Sequence, residues 1–144
     1  MNLLVVDDDK NYRELASEVL SLQGHVVHTA ADGAEAYQML QTDRIEIVVS
    51  DIRMPRLNGM ELHRLIRFSA SYRTTPFVFI SGYLDHRLGK VIENPTIDFF
   101  MNKNEPLSFL VGLVEDIENE RSREVDPEEI VILPKKDGEI RQSA

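Results

Sequence analysis

The sequence contains no cysteine and no tryptophan in 144 residues. Without thiols it can form no disulfide, no thiolate metal site and no cysteine nucleophile, although this leaves the redox compartment open. Positive charge is scarce, with 16 Lys and Arg against 25 Asp and Glu for a formal net charge of −9. That balance argues against direct nucleic-acid binding, which depends on Lys and Arg neutralising phosphates. Long apolar runs are also missing. The longest stretch free of charged side chains, Val19 to Ala31, is interrupted by Gln23, Gly24, His25 and His28. A membrane span needs roughly 20 apolar residues, so none is expected. Only Leu3 to Val6 precede Asp7-Asp8-Asp9, too short for the roughly 7 or more apolar residues of a secretory signal, and a cytoplasmic protein is expected. Neither G-x-G-x-x-G nor a P-loop occurs, and His25, His28, His63 and His86 have no zinc-site spacing.

What the chain does have is material for a core. Leu, Ile, Val and Phe make up about 31% of the residues, against the roughly 20% below which charged chains stay disordered. Short apolar clusters recur at Leu3–Val6, Val26–Val27, Ile45–Val49, Phe77–Ile80 and Ile97–Met101, and read as five strands. Three are nearly continuous, as strands buried on both faces of a parallel sheet must be. Between and after them lie segments of helical period: Tyr12 to Leu20, Ala36 to Leu40, Met60 to Ile66, Leu84 to Ile92 and Leu107 to Ile117. Asp9 can cap the first helix and Gly24 end it; Asp32-Gly33 opens the second, Asn58-Gly59 the third, and Asn94-Pro95 stops the fourth. The expected fold is α/β: a (βα)5, doubly wound, five-stranded parallel sheet with helices on both faces.

Ligands of such sheets sit at the carboxyl ends of the strands, near the topological switch point. Those ends carry Asp7-Asp8-Asp9, Ser50-Asp51, Ser81-Gly82 and Asn102-Lys103. Carboxylates a few Å apart repel by about 4 kcal/mol per pair at an effective dielectric constant near 20, so such a cluster must take up protons or hold a cation. With only oxygen donors on offer, Mg²⁺ is the natural ion, and it points to phosphoryl chemistry. The Lys103 ammonium and Ser81 hydroxyl suit compensation of phosphoryl charge, and an aspartate can be the nucleophile.

Over residues 2 to 121 the sequence resembles the receiver domains of two-component response regulators. The resemblance is carried by Val5-Val6-Asp7-Asp8, Val49-Ser50-Asp51-Ile52-Arg53-Met54-Pro55 with Asn58-Gly59, Phe79-Ile80-Ser81-Gly82 and Phe99-Phe100-Met101-Asn102-Lys103. It implies that Asp51 accepts a phosphoryl group from a sensor histidine kinase or a histidine phosphotransfer protein. It further implies that Asp8 directly, Asp7 through water, and the Arg53 backbone carbonyl hold Mg²⁺ together with Asp51. Lys103, Ser81 and the Gly82 amide would take the phosphoryl oxygens. Ser81 and Phe100, at the family's switch positions, would reshape the face of helix four, strand five and helix five toward a downstream protein, and a homodimer is compatible with that.

Some positions depart from the family pattern. Lys103 is followed by Asn104 where proline in a cis peptide is usual; a cis bond before a non-proline costs about 2.5–4 kcal/mol, which favours a trans loop and a less well aimed lysine. The fourth helix ends in Glu93-Asn94-Pro95-Thr96, where the family commonly has a Gly-Ala turn. Arg53 and Tyr83, each two residues beyond a reacting position, are bulky enough to hinder the water that would hydrolyse an aspartyl phosphate. The receiver is expected to span 1–123. The segment 124–144 reads as a tail, with Asp126-Pro127-Glu128-Glu129 linker-like and Ile130–Leu133 suited to docking. Two other functions fit the same chain: a phosphorylation-independent binding module, and a small Mg²⁺ phosphatase of the haloacid-dehalogenase type with Asp7 as nucleophile and Asp9 as acid.

Overall fold

The computed structural model describes residues 1–82 and 85–124. In chain order the elements are β1 (Asn2–Val6), α1 (Lys10–Leu22), β2 (Val26–Ala30), α2 (Gly33–Thr42), β3 (Ile47–Asp51), α3 (Gly59–Arg67), β4 (Phe77–Ser81), α4 (Leu88–Val91), β5 (Asp98–Asn102) and α5 (Leu107–Glu124). The chain falls into two units, 1–111 and 112–144. The sheet, the first four helices and the opening of α5 belong to the first. Among the described residues no helix is long and apolar enough to cross a membrane.

All five strands run parallel in the order β2-β1-β3-β4-β5. The chain winds from β1 to β2, then reverses past β1 to β3, so the switch point lies between β1 and β3, where Val6 pairs with Ser50. Every residue of β3 and β4 is buried, while the edge strands β2 and β5 are only partly so. That gradient explains why the middle strands read as unbroken apolar runs. One face of the sheet presents Leu4, Val6, Val48, Phe77 and Phe79 to Ala36, Leu40, Leu62 and Ile66 of α2 and α3. By alternation Leu3, Val5, Val49 and Val78 point to the other face, and all four are fully buried, as are Ala16 and Leu20 of α1.

Helix boundaries follow local chemistry. The Asp9 carboxylate accepts the Asn11 and Tyr12 amides at the start of α1. Gly24, at φ 91°, ends it by donating its amide to the Ser21 carbonyl while His25 donates to Leu20, the paired bonds of a Schellman turn. Asp32 caps α2, and Asn58 with Glu61 forms a reciprocal capping box on α3.

Three expectations are corrected. The third and fifth strands begin later than their apolar clusters: Ile45 is buried and Ile97 accepts the Phe77 amide, yet both precede the ladder. The last three strands then continue through Asp51, Ser81 and Asn102, because parallel backbone pairing (Asp51 with Ile80, Ser81 with Asn102) is indifferent to side-chain polarity. The fourth helix, expected from Leu84 to Ile92, is a single turn over Leu88–Val91, ending before Asn94-Pro95. Its N-cap Arg87 makes no capping bond, and Asp85 binds the Arg87 amide and guanidinium locally, which competes with helix formation. Leu84 lies outside the described residues.

At the amino end of the sheet, Asp98 is buried beneath α3 and receives His63 Nε2 at 2.9 Å and the Arg67 guanidinium. The His63 ring stands edge-on to Phe77 at 5.1 Å, and Arg67 also donates to the Thr75 carbonyl at 2.8 Å. Burial alone would raise the Asp98 pKa, but the bonds from His63 and Arg67 outweigh it and hold the carboxyl below its ordinary value. This polar cluster, which the sequence reading did not anticipate, joins α3 to the starts of β4 and β5.

Candidate functional site

At the opposite, carboxyl end of the sheet, the turn after β1 and the last residue of β3 bring Asp7, Asp8 and Asp51 together. One carboxylate oxygen from each lies within 4.8 Å of the others. Asp7 is fully buried, Asp51 is 8% exposed, and Asp8 faces solvent. Backbone amides hold the Asp7 and Asp51 carboxylates in place. Asp7 Oδ1 accepts the Asp9 amide at 2.9 Å, and the Asp7 carbonyl accepts the Arg13 guanidinium at 2.6 Å. Asp51 Oδ1 accepts the Ile52 amide at 2.8 Å, which leaves Oδ2 directed at the third component, Lys103.

Lys103 follows β5, and its amide is anchored on the Ser81 carbonyl at 2.7 Å. Its ammonium lies 2.7 Å from Asp7 Oδ2 and 3.5 Å from Asp51 Oδ2. The Asp7 contact is a close ion pair with a fully buried carboxylate. The Lys103-Asn104 peptide is trans, since no described residue has a cis bond. The lysine reaches the site and sits closer to Asp7 than to Asp51.

Burial, reinforced by the Asp7 charge, pushes the Asp51 carboxyl up to about 6 against the pull of Lys103. Burial likewise raises Asp7, opposed by Lys103 and by the Asp9 amide. For Lys103 burial favours the neutral amine, but Asp7 and Asp51 overcome it and hold the pKa above the ordinary lysine value. One ammonium facing three carboxylates leaves excess negative charge in a partly desolvated pocket. An all-oxygen donor set of three clustered carboxylates suits a hard divalent cation of the Mg²⁺ type. Asp8 opens onto a cleft of about 390 Å³ lined also by Ile52, Arg53, Met54, Pro55, Asn58 and Arg87.

The other expected residues are placed as follows. Ser81 closes β4, buried, in register with Asn102. Gly82 is exposed, and its carbonyl accepts the Asn104 amide side chain at 3.3 Å. Phe100 pairs with Phe79 in the ladder and packs, half-buried, against the core. Arg53 borders the cleft, whereas Tyr83 and the tail segment 125–144 lie outside the described residues. Asp9, the acid of the phosphatase alternative, is exposed and caps α1 through Oδ1.

Three contributors escaped the sequence reading. The sequence places Tyr12 only in the apolar period of α1, yet the Lys103 ammonium lies 4.7 Å from its ring centroid. Gly59 was read as a helix start, yet a Cβ there would come 2.2 Å from the Asp51 carbonyl oxygen. Its missing side chain lets α3 close on β3, where the Gly59 amide donates to Ile52. Arg56 adopts a left-handed φ of 66° and pairs with Asp32, tying the loop after β3 to the start of α2.

Known proteins are similar to this chain in sequence and fold. A family model described as response regulator receiver domain matches residues 3–115. Response regulator MprA of Mycobacterium avium (strain 104) is 46% identical over 67 residues, which is 46% of this chain and 29% of that protein. The alignment thus covers under a third of the curated relative. Among solved structures, chemotaxis protein CheY4 of Vibrio cholerae superposes with a TM-score of 0.74 at 26% identity, over 81% of this chain and 97% of that one. Response regulator protein TrrA of Thermotoga maritima, solved in complex with Mg(2+)-BeF, gives 0.69 at 26% identity, over 81% and 97%. The match runs through all five strands and both edges of the acidic pocket, and on that ground the chain belongs to the response regulator receiver family, a class of signalling phospho-acceptors rather than enzymes with outside substrates.

Proposed function

We propose that this chain is a phosphorylatable receiver in which Asp51 accepts a phosphoryl group from the phosphohistidine of a sensor kinase or phosphotransfer protein. The observation that carries this reading is the meeting of Asp51 with Asp7, Asp8 and the Lys103 ammonium at the switch point of the sheet. Asp51 Oδ2, the oxygen not committed to the Ile52 amide, attacks phosphorus as the P–N bond to the donor imidazole breaks and the imidazole leaves with the bonding pair. Asp7, Asp8 and Asp51, with the Arg53 carbonyl, would hold Mg²⁺, which supplies charge neutralisation for the equatorial oxygens. Lys103 neutralises a further oxygen, and the Ser81 hydroxyl and Gly82 amide bind the rest.

Once Asp51 carries the new charge, Ser81 is drawn toward it, and Phe100 follows into the space that opens. The equilibrium of the α4 and β5 surface then shifts toward a form that a downstream protein recognises. Residues 1–123 act as the receiver, and the remaining segment serves as a linker or docking tail. Incubation with acetyl phosphate and Mg²⁺ followed by intact-mass measurement tests the reading: one phosphoryl group is gained by the wild type, and none by Asp51→Asn or in EDTA. An equal gain by Asp51→Asn contradicts it.

A further inference from the structure

Lys103 is the one ammonium in contact with both Asp7 and Asp51 among the described residues, and its chemistry depends on where a long, flexible side chain holds its charge. The surrounding backbone is well restrained. The Lys103 amide is bound to Ser81, the Asn104 amide to the Asn102 side chain at 2.8 Å, and the Asn104 side chain to Gly82. None of these bonds reaches the ammonium. Asp7 pulls it from 2.7 Å and Asp51 from 3.5 Å, an unequal contest that favours collapse onto Asp7. The side chain is 19% exposed, so a path to solvent is also open.

The remaining contact is aromatic. The ammonium lies 4.7 Å from the centroid of the Tyr12 ring, within the roughly 6 Å over which a ring face attracts a cation. Tyr12 stands in the first turn of α1, its amide held by the Asp9 cap, and the Asp9 amide in turn holds Asp7. Ring and carboxylate are therefore set by one local unit. The Tyr12 hydroxyl is buried without a hydrogen-bond partner, so this side chain meets Lys103 through its ring and not through its hydroxyl.

We propose that Tyr12 is a positioning residue for the phosphorylation reaction, its ring face holding the Lys103 ammonium between Asp7 and Asp51 where an incoming phosphoryl oxygen meets it. The proposal rests on the phospho-acceptor reading of Asp51. Because the action belongs to the ring and not to the hydroxyl, Tyr12→Phe keeps it, while Tyr12→Leu and Tyr12→Met remove it.

Two readouts test this. In the metal-free protein, the proton resonances of the Lys103 ε-methylene are shifted upfield by the ring in wild type and Tyr12→Phe, and return to ordinary lysine values in Tyr12→Leu and Tyr12→Met. With acetyl phosphate and saturating Mg²⁺, phosphorylation slows by about 3- to 30-fold in the Leu and Met variants, the range of a cation–π contact, and stays within about twofold in Phe. In a Lys103→Met background the same Tyr12 substitutions cause no further loss. An unshifted Lys103 methylene in the wild type overturns the proposal. So does a Tyr12→Phe defect as large as that of Tyr12→Leu, or losses that add fully to that of Lys103→Met. A wild type that is not phosphorylated at all refutes the phospho-acceptor reading instead, and the methylene shift still reports the ring contact.

Discussion

Replacing Asp51 by Asn should make the metal-free protein more stable at neutral pH, although it removes the proposed acceptor. Asp51 ionises in the folded chain at about 6 rather than 3.8, because it is buried and faces Asp7. At about 1.36 kcal/mol per pH unit, carrying that charge at neutral pH costs the folded chain about 3 kcal/mol relative to the unfolded one. Solvent screening at the partly open pocket brings the expected gain to roughly 1–3 kcal/mol. The sign with pH follows from linkage. The folded chain holds the Asp51 proton more tightly than the unfolded chain does, so this contribution is fully present below pH 3.8 and is lost as pH rises through about 6. Asp98, held below its ordinary value, stays ionised above pH 5 and does not mask the trend.

Urea unfolding in EDTA at pH 5 and pH 7.5 is the assay. The stability difference between Asp51→Asn and wild type should reach the stated range at pH 7.5 and fall to about half of it at pH 5, and Mg²⁺ at pH 7.5 should stabilise the wild type more than the variant. A variant no more stable than wild type at pH 7.5, or a difference that does not change with pH, refutes the view that Asp51 is an electrostatically strained group.

Other predictions concern the support of the site. Asp98→Ala leaves Arg67 without its buried partner and should destabilise by about 3–5 kcal/mol in urea unfolding; the wild-type contribution of Asp98 is lost only as pH falls below the ordinary carboxylate range, since its folded pKa is depressed. Gly59→Ala forces a methyl against the Asp51 carbonyl at 2.2 Å. It should lower both the unfolding midpoint and the phosphorylation rate, whereas Gly89→Ala, with open space around it, should leave the rate unchanged. If Arg53 and Tyr83 shield an aspartyl phosphate from water, Arg53→Gly combined with Tyr83→Ala should hasten its decay, measured as loss of the phosphorylated mass with time.

The order of elements was legible because the central strands are apolar from Ile47 to Val49 and from Phe77 to Ile80, and because Asp9, Gly24, Asp32 and Asn58 carry their capping chemistry in their own side chains or lack of one. The meeting of Asp7, Asp8 and Asp51 was legible too, since adjacent parallel strands must end side by side. Strand ends were less so: Asp51, Ser81 and Asn102 are polar, yet remain in the ladder through backbone pairing that composition does not report. The short α4 was hidden because its apolar period continues past the point where Asp85 diverts the backbone bonding. Tyr12, Gly59 and the His63–Asp98–Arg67 cluster were missed for a common reason. Each acts through a contact with a residue distant in sequence, and the local pattern around each reads as ordinary helix.

The most direct measurement of the central claim is to locate the phosphoryl group itself. After phosphorylation with acetyl phosphate and Mg²⁺, borohydride reduction converts an aspartyl phosphate to homoserine, and peptide sequencing by mass spectrometry reads its position. Homoserine at position 51, absent without Mg²⁺, is the result predicted here. Homoserine at position 7 or 8 with position 51 unmodified would contradict the assignment of the acceptor.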